Sequence, residues 1–173
     1  MNLPNKLTTL RLILVPIFFI TAYFERNHDR YLISCIIYSV AAFTDFLDGY
    51  LARKYDMVTD FGKFSDPMAD KVLVAAAMIF LLEVGKIPGW IVLVIVAREY
   101  AVSILRAIAA AQGKVIAAAK SGKIKTVTQM IGTIMMLLNL PFKNTVMFIA
   151  AIITLYSGFE YLYGNREMIF KDM

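Results

Sequence analysis

Apolar residues gather into six runs along the chain, at roughly 9–24, 31–53, 67–84, 88–112, 123–140 and 144–164. Polar stretches break them: ERNHDR, KYDMVTDFGKFSD, EVGKIPG, QGKVIAAAKSGK and LPFKN. Runs of this length predict six helices. Several uncharged runs are shorter than the roughly 20 residues that cross a bilayer, and become long enough only when charges at one end are included. The opening, MNLPNKLTTLR, predicts a short interfacial helix of its own, with Lys6 and Arg11 placed to meet lipid phosphate. The first apolar run has no small-residue cleavage site before Glu25, so it reads as a first membrane helix rather than a secretory signal. The expected fold is all-α: a polytopic membrane protein of six transmembrane helices behind a short N-terminal interfacial helix, forming one domain over residues 1–173.

Composition strengthens that picture. The 173 residues are 60% hydrophobic and 18% charged, against about 45–50% and about 25% in soluble domains. A soluble helical bundle would have too few polar residues to cover its outside. The net charge of +5 points to anionic lipid and phosphorylated substrates, not nucleic acid. Basic residues favour alternate breaks: Lys6 and Arg11, then Arg53, Lys54, Lys63 and Lys71, then Lys114, Lys120, Lys123 and Lys125, then Arg166 and Lys171. The other breaks hold Arg26, Arg30, Lys86 and Lys143. The positive-inside rule then puts both termini in the cytoplasm. Trp90 suits an aromatic anchor at the outer interface, and Tyr161 and Tyr163 suit the inner one. The single cysteine, Cys35, excludes an internal disulfide and a cysteine metal cluster, and reads as packing. The one histidine, His28, lies in a polar break and reads as solvated. Any metal site must therefore be oxygen-ligated, which suits Mg²⁺, Mn²⁺ or Ca²⁺.

Charges at membrane depth are costly and mark function. Asp45 and Asp48 are three apart, and Asp66 and Asp70 four apart, so each pair shares a helix face. At about 1.5 Å per residue, Asp45 lies about 21 Å from the outer start of the second helix, and Asp70 about 20–21 Å from the outer end of the third. Asp48 and Asp66 both fall near 26 Å on the same scale, roughly level and toward the cytoplasm. Four clustered carboxylates repel one another unless a cation neutralises them. Two divalent ions held there would suit an in-line displacement at phosphorus. Gly49 and Ala52 share the face of Asp45 and Asp48 and leave room for something to lie flat, although they could serve only helix packing. Arg53 is a cation suited to a diphosphate, and Gly62 has no side chain to obstruct the same cleft.

These residues compose the pattern D-x2-D-G-x2-A-R-x8-G-x3-D-x3-D, which closely resembles the signature of the CDP-alcohol phosphatidyltransferase family at every fixed position. The resemblance implies a six-helix membrane fold, a CDP-linked donor, a pair of Mg²⁺ or Mn²⁺ ions and a homodimer. It makes Asp45, Asp48 and Asp66 metal ligands. Asp70 becomes the general base, with contact to a metal as well. Asp48, Gly49, Ala52, Arg53 and Gly62 become the CDP-binding set.

Further stretches are similar to the bacterial phosphatidylglycerophosphate synthases within that family. They are Ala97-Arg98-Glu99-Tyr100-Ala101-Val102-Ser103 with Arg106, Gly122-Lys123-Ile124-Lys125-Thr126, the opening Pro4-Asn5 with Thr8 and Arg11, and the closing Ser157-Gly158-Phe159-Glu160-Tyr161. This resemblance implies transfer from CDP-diacylglycerol to glycerol 3-phosphate in a bacterial plasma membrane, among membrane lipids and on the cytoplasmic side. The residues agree with it. Arg98 sits about 16 Å into the fourth helix and needs a partner, while adjacent Glu99 points about 100° away. Arg98, Arg106, Lys123 and Lys125 together form a candidate pocket for an acceptor phosphate, with Asn5, Thr8 and Arg11 as further candidates. Lys123 and Lys125 could instead be positive-inside charges alone. Glycerol 3-phosphate and inositol phosphate both suit such a pocket. Two other readings are a divalent-cation transporter, which Arg53 beside the acids disfavours, and a silent assembly protein, which the intact aspartates disfavour.

Overall fold

A computed structural model describes residues 3–54, 60–113 and 120–166, with side chains described for 9–44, 71–110, 112–113 and 121–166. Six α-helices follow one another: α1 (Leu3–Glu25), α2 (Leu32–Lys54), α3 (Asp60–Glu83), α4 (Gly89–Ala111), α5 (Lys120–Leu137) and α6 (Lys143–Gly164). No strand occurs among the described residues. The chain divides into two compact units, 1–86 with 133–141, and 87–132 with 142–173, so that α1–α3 and the end of α5 belong to the first and α4, α6 and the rest of α5 to the second.

Two boundaries differ from the sequence pattern. The expected interfacial helix is not separate, because α1 runs unbroken from Leu3. Pro4 falls in its first turn, where the missing N–H would have had no acceptor, so nothing divides the segment. Arg11 is therefore an interior residue of a long helix, and it is fully buried rather than facing an interface. The third helix starts at Asp60, not 67, so Gly62 and Asp66 sit on helical backbone instead of in a polar break.

In the first unit, α1 and α2 form an antiparallel pair: Phe18 meets Tyr38 and Thr21 meets Ser34. The core is aromatic. Phe80 of α3 packs edge-on against Tyr31 at 5.0 Å and against Phe18 at 6.5 Å between ring centres. Cys35 is buried beside this cluster and His28 is exposed, both as expected. Glu25 ties the turn together. Its carboxylate accepts hydrogen bonds from the backbone N–H of Ile33 (3.0 Å) and Ser34 (2.9 Å) and from the Ser34 hydroxyl (2.6 Å). An anion thus caps the N-terminus of α2, where free N–H groups and the helix dipole favour it. Burial raises the Glu25 pKa, but the Ser34 and Ile33 hydrogen bonds and the nearby His28 outweigh it, and the group ends below its ordinary value. The 137–141 segment closes the same end. Tyr31 N–H donates to the Leu137 carbonyl (2.8 Å), and the Asn139 amide donates to the Asp29 carboxylate (2.7 Å). Lys86 donates to the Asp29 carbonyl (2.9 Å) and lies over the Tyr31 ring.

In the second unit, contacts between α4 and α6 rise together: Trp90 with Phe148, Arg98 with Ser157, Arg106 with Tyr161. These two helices run parallel. α5 runs against them, since Gly122 lies beside Ser157 and Gly132 beside Met147. A Cβ on Gly132 would stand 3.5 Å from the Met147 Cα, so glycine here lets two helix backbones approach.

Large apolar side chains cover much of the outside, and several polar or charged ones lie inside beside the apolar core. Phe24, Ile36, Phe43, Leu93, Tyr156 and Phe159 are all exposed, Phe24 to 78%. Arg11, Ser34, Lys125, Gln129, Thr133, Thr154 and Ser157 are buried. Among the described residues, one helix, Lys143–Gly164, is by itself long and apolar enough to cross a membrane. α4 is as long, but Arg98, Glu99 and Arg106 interrupt its apolar run.

Candidate active site

The candidate residues lie in both units, and each set is described in its own unit. In the first, Asp45, Asp48, Gly49, Ala52 and Arg53 fall on α2, and Gly62, Asp66 and Asp70 on α3. Asn5 and Thr8 fall on α1. The side chains of all these residues lie outside the described ones, as do the expected levels of the four carboxylates. Their helices are continuous through every one of these positions, so each aspartate pair keeps the same-face spacing. Tyr31 at the start of α2 meets Phe80 near the end of α3, and the chain joins the other ends through 55–59; the two helices are antiparallel neighbours. The donor chemistry of the set is all oxygen. Cys35 is buried elsewhere and His28 belongs to an exposed turn, so neither sulfur nor imidazole joins it. Four carboxylates without softer donors fit Mg²⁺ or Mn²⁺.

The second unit holds a buried charged network. Arg98 lies across α6 with its Cγ packed on Gly158, where a Cβ would come to 3.1 Å. That contact aims the guanidinium past α6. Its Nη2 donates to the Ser157 hydroxyl (2.8 Å), and its Nη1 to Glu99 Oε1 (3.3 Å). Lys125 of α5 donates from Nζ to the same Glu99 oxygen. Lys125 is 4% exposed and Ser157 fully buried. Two cations from two helices thus converge on one carboxylate oxygen, leaving the trio with one net positive charge. The Arg98 Nε is buried with no hydrogen-bond partner among the described residues. Gly122 flanks the guanidinium more loosely, 3.5 Å from its Nη2.

Arg106 lies two turns further along α4. Its Nε donates to the Tyr161 hydroxyl (3.2 Å), and its guanidinium lies over that ring. Tyr161 is consequently buried and bonded rather than an interfacial anchor, since a buried phenol needs a partner and Arg106 provides one. Tyr163 and Trp90 are exposed, as anchors would be. The structure brings Arg98 and Lys125 together but not Lys123. Two residues from Lys125 is about 200° around α5, and Lys123 is exposed.

Glu99 is the residue that sequence reasoning misjudged. Its backbone direction does differ from that of Arg98, but two long flexible side chains close the angle and meet. The signal was present: Glu99 is the one acid in α4, and an acid in an apolar helix needs a cation. Ser157 and Gly158 stood out only within the closing stretch that carries the resemblance, with no role attached to them. Their role depends on which helix lies against them.

The family model for CDP-alcohol phosphatidyltransferase matches residues 1–156, and the chain belongs to that family. Within it, the chain is 42% identical, over 97% of both sequences, to the CDP-diacylglycerol–glycerol-3-phosphate 3-phosphatidyltransferase of Bacillus subtilis. It is 38% identical to a probable phosphatidylglycerophosphate synthase of Mycobacterium tuberculosis, over 93% of this chain and 80% of that one. A Rickettsia felis protein with the same name as the Bacillus one is 34% identical over 96% of both.

Proposed function

We propose that this chain transfers the phosphatidyl group from CDP-diacylglycerol to the 1-hydroxyl of sn-glycerol 3-phosphate, giving phosphatidylglycerophosphate and CMP. The relatives named for that reaction match this chain nearly end to end, and the family match runs through both units, in support of one functional domain. The observation that carries the choice of acceptor is the convergence of Arg98 and Lys125 on Glu99. Two cations with one counter-charge suit an acceptor that carries a phosphate, and a neutral or zwitterionic alcohol would leave them unexplained.

Asp45, Asp48, Asp66 and Asp70 would hold two Mg²⁺ or Mn²⁺ ions, which when bound neutralise the donor diphosphate. Asp48, Gly49, Ala52, Arg53 and Gly62 hold the CDP part, with Arg53 opposing its negative charge. The Asp70 carboxylate takes the proton of the acceptor 1-hydroxyl. The alkoxide oxygen then bonds to the phosphorus that carries diacylglycerol, and the bond from that phosphorus to the CMP oxygen breaks. Arg98, Arg106 and Lys125, with exposed Lys123 as an outer contact, hold the acceptor phosphate. Asn5, Thr8 and Arg11 are further binding candidates.

The extensive apolar exposure supports a membrane setting, with exposed Ile, Leu and Phe side chains meeting lipid. In this reading all six helices cross a bacterial plasma membrane with both termini and the active site cytoplasmic, and the protein is a homodimer. The test is an acceptor panel. Purified protein with CDP-diacylglycerol and Mg²⁺ or Mn²⁺ should release CMP with glycerol 3-phosphate. Release with inositol phosphate but not glycerol 3-phosphate would overturn the assignment.

A further inference from the structure

We infer that Glu99 is a positioning residue for acceptor recognition: it fastens Arg98 and Lys125 to one point and thereby shapes the phosphate-binding pocket. The inference rests on the proposed role of those two cations.

Three observations support it. First, Glu99 Oε1 is shared. It accepts from Arg98 of its own helix and from Lys125 of α5, so one atom sets the separation of two cationic groups from different helices. Second, Arg98 is held on its other edge as well, with Nη2 on the buried Ser157 hydroxyl and Cγ against Gly158. A guanidinium gripped at both ends presents its remaining N–H groups in a fixed direction, and preorganised donors bind an anion better than mobile ones. Third, all three charged side chains are mostly buried, Lys125 nearly completely. Two buried cations this close repel strongly without a counter-charge. Removing Glu99 would therefore separate them, and Lys125, a long and flexible chain, is the one free to move away.

A carboxylate that merely neutralised buried charge for stability would affect both substrates alike. A positioning carboxylate affects the acceptor alone, which gives the test. Initial rates of CMP release are measured for Glu99→Ala, Glu99→Asp, Lys125→Ala, Arg98→Ala and the double variant E99A/K125A, with each substrate varied in turn. Glu99→Ala should raise the KM for glycerol 3-phosphate about tenfold or more while the KM for CDP-diacylglycerol stays within about twofold. Glu99→Asp should recover part of the loss, and the double variant should be little worse than K125A, because the two residues act as a unit. If Glu99→Ala does not yield folded protein, Glu99→Gln, which keeps the shape, carries the test with an expected rise of about threefold or more. An unchanged acceptor KM in Glu99→Ala or Glu99→Gln, beside a raised one in Lys125→Ala, overturns the inference alone. Unchanged acceptor KM in both Arg98→Ala and Lys125→Ala overturns the acceptor-pocket reading, and the inference with it.

Discussion

Replacing Gly158 by alanine tests whether the Arg98 guanidinium is aimed by its contact with α6. The added methyl would stand 3.1 Å from the Arg98 Cγ and 3.9 Å from its Cβ. Two effects oppose each other. Alanine favours a helix interior over glycine by about 0.5–1 kcal/mol. Overpacking a close contact costs about 1–3 kcal/mol. The clash is with the root of the side chain, not its flexible tip, so the whole arginine has to lift, and its 2.8 Å bond to Ser157 and 3.3 Å bond to Glu99 stretch together. Losing one hydrogen bond to a charged group costs about 1.5–3 kcal/mol, or about ten- to a hundredfold in kcat/KM for the acceptor. Gly122→Ala is the internal control. There the new methyl meets Nη2 at 3.5 Å, an ordinary van der Waals contact that requires no shift, and the expected change is less than about threefold. Both variants are assayed by CMP release with glycerol 3-phosphate varied, and thermal melting in detergent reports on folding. A wild-type acceptor KM in Gly158→Ala refutes the reasoning, and so does equal damage from the two substitutions.

Asp70→Asn should lose about 10²–10⁴-fold in turnover with its helical circular dichroism unchanged; near-normal activity would remove Asp70 as the base. Chelation should abolish activity, and added Mg²⁺ or Mn²⁺ should restore it; full activity after exhaustive chelation would exclude the metal role of the aspartates. Glu25→Gln should destabilise the protein by about 1–3 kcal/mol, because an amide cannot accept all three cap bonds. The Glu25 pKa is lowered on folding, so its contribution is present above the ordinary carboxylate value and is lost as the pH falls through the depressed one. Melting temperatures across that acid range should therefore converge for wild type and variant, and parallel curves would contradict the assignment.

The helices were largely legible in the sequence because long apolar runs bounded by polar breaks have few other solutions. The errors fell where local signals conflict with continuity. Polar residues at 60–66 read as a break, yet the helix continues through them. Basic residues near the N-terminus read as an interfacial helix, yet α1 is unbroken and Arg11 is buried. The aspartate pattern needs no tertiary information, since both pairs are set by helical spacing alone. The Arg98 network needs a great deal. Ser157 and Gly158 act only because α6 runs parallel to α4 in that register, and Lys125 only because α5 brings it back to Glu99. Spacing along one helix does not encode which neighbour it will meet.

The lock at the end of the first unit has a consequence for biosynthesis. The Tyr31 amide and the Asp29 carboxylate are made early, but their partners are the Leu137 carbonyl and the Asn139 amide. Residues 87–132, which belong to the other unit, must be synthesised in between. At ribosomal rates that takes on the order of 2–10 s. For that interval α1, α2 and α3 lack the piece that closes them. Folding therefore cannot proceed one unit at a time from the N-terminus, and a nascent chain stalled before Thr133 should be much more open to proteolysis in the ERNHDR turn than one released after Pro141.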